Sequence, residues 1–253
     1  AYPKEREAAQ YALKLDNNLA EAHASLADVI NYYDWNWEAA RKEYRKAIEL
    51  NPNYATAHHW YAIALVNQGL FDEAMSEIKR AQQLDPLSIR ISQNVGFVYY
   101  LSRNYDKAIE QLRKTIEIDS TFPYGNAILG DCYFMKKQYN LAYKAYHSEV
   151  RLTGDSTNIF LLACLDAVTG NKKEAVALRE KLKNISTRRF VPISYFVFIE
   201  IYLGNNDIAF ELLQKAVKEK DLDVTGLKVE PKFDPIRSDP RFTALLKEVH
   251  LAK

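Results

Sequence analysis

The sequence predicts an all-α protein in which helix pairs stack side by side into a right-handed α-solenoid superhelix. Three observations predict it. A small residue recurs every 33 or 34 residues from Ala40 to Ala209. Between these alanines the apolar residues follow a helical period, and glycine or proline ends the successive helices. A constant period near ~34 residues indicates stacked helical repeats, in which a small residue lets two helices cross closely. The alanines of this ladder are Ala40, Ala74, Ala108, Ala142, Ala175 and Ala209.

Residues 1–18 are expected to form a single helix without a partner. Ala8, Ala9 and Ala12 give this segment the small-residue pattern of the second helix of a pair. No first helix precedes it, and the sequence begins at Ala1 without methionine. We therefore expect these residues to belong to a preceding repeat that is truncated here.

Residues 19–220 are expected to form six helix pairs. In the unit from Ala55 to Ser88 the apolar residues of the first helix recur at i, i+3, i+4 and i+7, which is one stripe of an amphipathic helix. Gly69 then ends that helix, and acidic residues open the second helix, where they interact favourably with the helix dipole. The same template fits the other units, with one extra residue in the turn around Tyr33 to Trp37. The two stripes of the reference unit are His58, Tyr61, Ala62 and Leu65, then Ala74, Ile78 and Ala81.

Residues 221–253 are expected to cap the last pair. Two Asp-Pro pairs, at Asp234 and Asp239, each place a helix N-cap residue before a proline at the first helical position. The second of them predicts a short capping helix, whose apolar residues cover the exposed end of the stack. These residues are Phe242, Leu245, Leu246 and Val249.

The repeated positions resemble the tetratricopeptide repeat (TPR), a helix-turn-helix unit of about 34 residues. The positions that match best are Gly96 with Tyr99, Gly130 with Tyr133, and Pro52 with Pro86. The tryptophan position of that repeat is not tryptophan in any unit. The resemblance covers the chain up to about Lys220, and it implies a module that binds other proteins.

Three segments also resemble the C-terminal tetratricopeptide region of a broad set of bacterial signalling proteins. They are residues 32–37, residues 47–57 and the stretch from Lys228 to Phe242. In that set the repeats follow a winged-helix, nucleotide cyclase, kinase or TolB-like part. The resemblance implies a fragment of a larger bacterial regulatory protein, and it gives this chain none of those activities.

Composition argues against a nucleic-acid partner and against a membrane span. Lysine and arginine number 34 against 33 acidic residues, so no net field attracts a polyanion. The longest apolar stretch, Phe196 to Leu203, is far shorter than the ~20 residues of a membrane span. We therefore expect no nucleic acid and no membrane contact by this segment. Cys132 and Cys164 fall in apolar helix patterns and favour a reducing compartment, so we expect a cytoplasmic location, with a periplasmic one left open.

The sequence predicts no enzyme activity, no cofactor and no metal site. Neighbouring helical residues such as His58 and His59 point about 100° apart, so they cannot chelate one metal ion together. Five of the eight glycines occupy repeat positions, which leaves no phosphate-binding loop. No spacing pairs a nucleophile with a base.

A peptide-binding face is predicted on the side of each first helix that lies opposite its packing stripe. The middle units present aromatic residues there, flanked by hydrogen-bonding groups, which suits an extended peptide or a helix. The predicted peptide-binding residues are His59, Ile63, Arg90, Gln93, Phe97, Tyr100, Asp131 and Phe134. The alternative is that these aromatic side chains only pack against neighbouring helices.

The predicted function is a protein-interaction scaffold whose concave groove binds a peptide or a partner protein. Most residues of a clamp for a C-terminal carboxylate are missing from the first three pairs, which disfavours a chaperone-tail ligand. The alternative function is self-association, in which the unpaired first helix offers Ala8, Tyr11 and Ala12 to a second copy and forms a homodimer.

Overall fold

The computed structural model describes residues 2–252, apart from the side chain of Leu222, and within that range the regular structure is helical throughout. Helices α2 to α13 form six consecutive pairs, in which the two helices of each pair pack against each other. Helix α1 packs against α2, ahead of the first pair. The helices are α1 (Tyr2–Leu15), α2 (Ala20–Val29), α3 (Trp37–Leu50), α4 (Ala55–Asn67), α5 (Phe71–Leu84), α6 (Ile89–Leu101), α7 (Tyr105–Ile118), α8 (Gly125–Met135), α9 (Tyr139–Thr153), α10 (Ile159–Val168), α11 (Lys172–Ser186), α12 (Ile193–Leu203), α13 (Asn206–Lys218) and α14 (Pro240–Glu248). The predicted all-α stack of helix pairs is confirmed.

The alanine ladder marks positions where small size is required. All six alanines have 0% exposure. On the facing helices, glycine has the same role: a Cβ at Gly96 would lie 2.7 Å from the side chain of Leu112, and one at Gly130 would lie 2.4 Å from the ring of Tyr146. Because both distances are shorter than van der Waals contact, a larger residue would force the paired helices apart.

The extra residue of the first pair is accommodated by a π-helical turn, Ile30–Asp34, at the end of α2. A π-helical turn contains more residues than an α-helical one, so it absorbs an insertion without ending the helix. Trp35 then adopts a left-handed φ of 54°, and α3 begins at Trp37. The insertion therefore lies ahead of Ala40, where the regular ladder begins.

Residues 221–252, which we call the tail, cross the inner side of the superhelix. Their regular parts are two 3₁₀ turns, Leu222–Gly226 and Pro231–Ile236, and α14. Helix α14 packs beside α13, where a cap is expected. The tail also reaches the first pair, where Trp37 Nε1 donates a hydrogen bond to the carbonyl oxygen of Val249 at 3.0 Å. The tail therefore joins the last helix pair to the first.

Candidate binding cleft

A cleft of about 350 Å³ lies between the helices and the tail. Residues from α4, α6, α8, α10 and α12 line it, so the first helices of five successive pairs face one common space. Among the lining residues, the helices contribute aromatic side chains and the tail contributes charged ones. The aromatic residues include Phe97, Tyr124, Phe160, Tyr195 and Phe198, and the charged tail residues are Asp223, Glu230 and Lys232. Clefts lined by aromatic side chains together with a few charged ones are typical ligand-binding sites.

Three of the eight predicted peptide-binding residues line this cleft. Ile63 and Phe97 are partly buried, and each keeps some apolar surface open. Asp131 is buried and accepts a hydrogen bond from the hydroxyl of Tyr146 at 2.7 Å. The structure thus brings together three residues, from α4, α6 and α8, that the sequence pattern places on one predicted binding face. Their role in binding stays a prediction.

His59, Arg90 and Gln93 come from the same face of α4 and α6. The side chains of His59 and Asn94 approach to 2.5 Å, and burial together with the charge of Arg90 lowers the pKa of His59 to about 4. Gln93 donates a hydrogen bond to the carbonyl oxygen of Pro123 at 3.0 Å. Arg90 is exposed. At neutral pH Arg90 is therefore the cation of this group, and the imidazole of His59 is neutral. The side-chain amide of Gln93 is already hydrogen-bonded.

Tyr100 and Phe134 belong to the packed interior in this arrangement. Phe134 is 5% exposed and meets the ring of Tyr202 edge-on, with centroids 4.9 Å apart. Tyr100 is 1% exposed, and its hydroxyl donates a hydrogen bond to Glu230 of the tail at 2.5 Å. With the tail in place, both residues therefore agree with the alternative that these aromatic side chains serve packing. Their direct contact with a partner stays a prediction.

A buried lysine anchors the tail on the inner side of the superhelix. The ammonium group of Lys232 pairs with Asp131 and lies 3.5 Å from Glu230. It also stands 5.4 Å from the ring centroid of Tyr100 and 5.5 Å from that of Phe198. Burial opposes the charge of Lys232, but the two carboxylates outweigh it and raise the pKa of the lysine above its ordinary value. The inner side thus recognises a cation with carboxylates and aromatic faces.

Further contacts hold the tail next to this lysine. Arg103 donates two hydrogen bonds to the carboxylate of Asp234, at 2.6 and 2.8 Å. Phe233 is 1% exposed and packs against Phe198, with ring centroids 4.9 Å apart. The two residues that follow Lys232 therefore both fix the tail, Phe233 through an apolar contact and Asp234 through an ion pair.

Sequence reasoning did not assign the tail residues to the site. The Asp-Pro pairs and the apolar residues of α14 indicated a cap, so Asp223, Glu230 and Lys232 were left out. A signal was nevertheless present: between Pro231 and Pro235 charged and aromatic residues alternate without a helical period. Such a stretch is suited to binding through individual side chains, because the prolines restrict its backbone.

Buried thiols and the absence of a metal cluster complete the chemistry of the described residues. Cys132 and Cys164 are buried, and burial raises the pKa of both thiols. Within residues 2–252 no group of three His, Cys, Asp or Glu side chains is arranged to hold a metal ion. None of the helices in that range combines the length and apolar character needed to cross a bilayer. The cleft itself presents carboxylates, amides, one ammonium group and aromatic rings.

Family models match part of the chain. One described as TPR repeat matches residues 36–69, and one described as tetratricopeptide repeat matches residues 55–86 and 89–122. The chain is 27% identical over 153 residues to the type IV pilus assembly protein PilF of Pseudomonas aeruginosa, which covers 60% of each chain. It is 33% identical over 84 residues to small glutamine-rich tetratricopeptide repeat-containing protein 2 of Mycosarcoma maydis, covering 33% of this chain and 24% of that protein. The chain therefore spans less than two thirds of either relative.

The likeness extends to solved structures. The chain matches the Cut9–Hcn1 structure of APC/C with a TM-score of 0.68 at 14% identity, over 98% of this chain and 46% of that one. At such low identity the likeness concerns the fold alone. Tetratricopeptide repeat proteins are generally scaffolds for protein interaction. This chain contains tetratricopeptide repeats between residues 36 and 122, and its fold is an all-α tetratricopeptide-repeat superhelix.

Proposed function

We propose that the protein is a non-catalytic interaction module that binds a segment of a partner protein in the cleft of its superhelix. The observation that carries this proposal is that the inner side already holds a peptide segment, namely the chain's own tail. Side chains from different helix pairs contact that segment, among them Tyr100, Asp131 and Phe198. A partner segment would be bound by the same kinds of contacts.

The open part of the cleft is where we propose that the partner binds. Ile63 and Phe97 keep apolar surface there, and Tyr124 in the lining is 50% exposed. Aromatic and apolar residues in a concave site supply most of the binding free energy of peptide complexes. Three other predicted residues would hold this surface in place: Tyr100 and Asp131 through their contacts with the tail, and Phe134 through packing in the interior.

Selected peptides test the proposal. A displayed library of random octapeptides is enriched on the immobilised protein, and the affinities of the selected sequences are measured by fluorescence polarisation. We expect Phe97→Ala to weaken binding at least about fivefold, since losing a central aromatic anchor costs more than about 1 kcal/mol. The control Leu87→Ala truncates a side chain that is 90% exposed and does not line the cleft, so affinity should stay the same. No enrichment, or equal effects of two well-folded variants, would contradict the proposal.

Self-association through α1 is a second candidate, favoured by the exposure of this helix. Tyr11 and Leu15 are 65% and 72% exposed, and Ala8 is exposed on the same face. A second copy could cover this apolar strip. Light scattering over a range of concentrations tests the idea, because Tyr11→Glu should abolish any dimer. A monomer at every concentration would exclude it.

We also propose that the module is part of a larger bacterial regulatory protein. The resemblance of residues 32–37, residues 47–57 and the stretch from Lys228 to Phe242 to bacterial signalling proteins supports this, and the relative PilF is bacterial. The residues encoded upstream of Ala1 in the full gene provide the test. A winged-helix or cyclase-like segment is expected there, whereas further repeats alone would argue for a plain scaffold.

A further inference from the structure

Among the described residues, one carboxylate that lines the open cleft forms no salt bridge. Asp223 lines the cleft from the tail and accepts a hydrogen bond from the hydroxyl of Ser194, while the residue keeps solvent-exposed surface. The other two carboxylates in the lining, Asp131 and Glu230, share Lys232, while no salt bridge among the described residues includes Asp223. Three carboxylates and one ammonium group leave the lining with an excess of negative charge.

The protein around Asp223 makes its negative charge unfavourable. Desolvation of the carboxyl group by the surrounding protein raises its pKa most, and the like charges of Asp221 and Glu230 raise it further. The hydrogen bond from Ser194 and the more distant charge of Lys232 lower it. The net result is a pKa above the ordinary value. A cation bound in the cleft would stabilise this carboxylate.

Aromatic rings stand on the same side of the cleft as Asp223. Tyr195 follows Ser194 on α12, and its ring stacks on Phe160 with centroids 3.7 Å apart. Burial, and after it the charge of Asp223, raises the pKa of Tyr195, as expected for two groups that lie close together. Phe97 lines the cleft as well. The faces of such rings attract cations.

The inner side already binds an ammonium group in this way. Lys232 pairs with a carboxylate and stands within 5.5 Å of the ring centroids of Tyr100 and Phe198. Asp223 with Tyr195 and Phe160 offers the same combination of a carboxylate and aromatic faces. In this second place no cationic side chain of the described residues pairs with the carboxylate.

We propose that the open cleft binds the cationic side chain of a lysine or arginine carried by an extended segment of a partner protein. Asp223 pairs with the cation, and the rings of Phe97, Phe160 and Tyr195 pack against the side chain. The volume of about 350 Å³ lies at the lower end of the ~300–1,000 Å³ of small-ligand sites, which suits one long side chain. An acidic segment is disfavoured because it would meet like charge. This inference rests on the interaction function proposed above and adds the chemistry of the partner.

Peptides that differ only in charge test the inference. The probes are acetyl-Gly-Gly-X-Gly-Gly-amide with arginine, lysine, glutamine or glutamate at X, titrated into ¹⁵N-labelled full-length protein and followed by NMR. The arginine and lysine peptides should shift the signals of Asp223 and Tyr195 saturably and bind at least about tenfold more tightly than the glutamine peptide. Added salt should weaken their binding. The glutamate peptide should not bind.

Matched variants locate the cation. Asp223→Asn should lower the affinity for the arginine peptide about five- to tenfold, and Asp223→Glu, which keeps the charge, should restore most of it. The control Asp72→Asn makes the same change at an exposed carboxylate of α5 and should have no effect. Melting temperatures establish that all variants are folded.

The possible outcomes separate this inference from the interaction function. Equal binding of the glutamine and arginine peptides, or an Asp223→Asn variant that binds the arginine peptide normally, would overturn the cation site and leave the interaction function intact. Tight binding of free arginine amide, equal to that of the peptide, would overturn the assignment to a partner side chain. If no charged peptide binds while the octapeptides selected earlier do, only the cation site fails; if neither binds, both proposals fail.

Discussion

The regular helix pairs and the tail are held in place by different kinds of contacts. In the pairs, buried alanines and two glycines let adjacent helices cross closely, and the partners are near each other in sequence. In the tail, single polar side chains reach residues more than a hundred positions away. These contacts join Lys232 to Asp131, Arg103 to Asp234 and Trp37 to Val249. The superhelix is therefore specified locally, whereas the position of the tail on its inner side depends on long-range contacts, both these polar ones and buried apolar ones such as that of Phe233 with Phe198.

The largest effect is expected when the tail loses its buried cation. Lys232→Ala leaves the buried Asp131 and the half-buried Glu230 without a counter-charge, and breaking a buried pair costs about 3–5 kcal/mol. We expect the tail to detach before the pairs unfold, so faster amide hydrogen exchange in residues 221–252 should be the first sign. Mass spectrometry measures the exchange. Lys247→Ala, at an exposed position of α14, is the control, and unchanged protection of the tail in Lys232→Ala would contradict the account.

A smaller effect is expected when a helix crossing is overfilled. Ala175 has 0% exposure, whereas Ala177, two residues later in α11, is exposed. Ala175→Leu should lower the free energy of unfolding by about 1–3 kcal/mol, because the larger side chain separates the paired helices. Ala177→Leu should change it by less than about 0.5 kcal/mol. Urea denaturation compares the two, and equal stability would mean that Ala175 does not lie at a crossing.

The next effect is a pH dependence of stability that arises from Asp28 in the first helix pair, away from the tail. Burial, and then the charge of Glu5, raises the pKa of Asp28 to about 6, although the hydroxyl of Tyr44 donates a hydrogen bond to it at 3.3 Å. A raised carboxyl pKa means that the folded protein binds this proton more tightly than the unfolded chain does. Stability from this group is therefore lost as pH rises from about 4 to about 6.

Asp28→Asn should remove that loss. We expect the variant to gain about 1–2 kcal/mol of unfolding free energy at neutral pH and almost nothing near pH ~4, where the aspartate is already protonated. Denaturation of both proteins across this range provides the measurement. Asp72→Asn, at an exposed carboxylate, should show no pH-dependent difference, and parallel profiles for Asp28→Asn and the wild type would contradict the assignment.

The smallest effect is expected at the exposed ion pair of the tail. The side chains of Arg103 and Asp234 are 45% and 41% exposed. Exposed pairs contribute about 0–1 kcal/mol, so Arg103→Gln should cost less than about 1 kcal/mol, and less still at high salt. Urea denaturation at two salt concentrations measures this. A cost as large as that of Lys232→Ala would mean that exposed contacts, rather than the buried lysine, hold the tail.

The fold could be predicted from the sequence because its signals are local. Each alanine from Ala40 to Ala209 reports on a crossing within its own pair, and all six are fully buried. The extra residue near Tyr33 could be located for the same reason, since the repeat template fits the helices on either side of the π-helical turn. Periodicity within about 34 residues contains this information.

The candidate site could be predicted only in part. Helical periodicity grouped Ile63, Phe97 and Asp131, which do line one cleft. The path of the tail depends on the match between Lys232 and Asp131, which are 101 positions apart, and no local pattern encodes such a match. For the same reason the sequence could not indicate that the hydroxyl of Tyr100 is already bonded to the tail.

The central claim is that the tail fills the inner side of the superhelix through the buried pair of Lys232 and Asp131. A double-mutant cycle measures this most directly, with the unfolding free energies of the wild type, Asp131→Asn, Lys232→Met and the double variant determined in urea at neutral pH. We expect a coupling free energy of about 1.5–3 kcal/mol between the two positions. Effects that add within about 0.5 kcal/mol would contradict it.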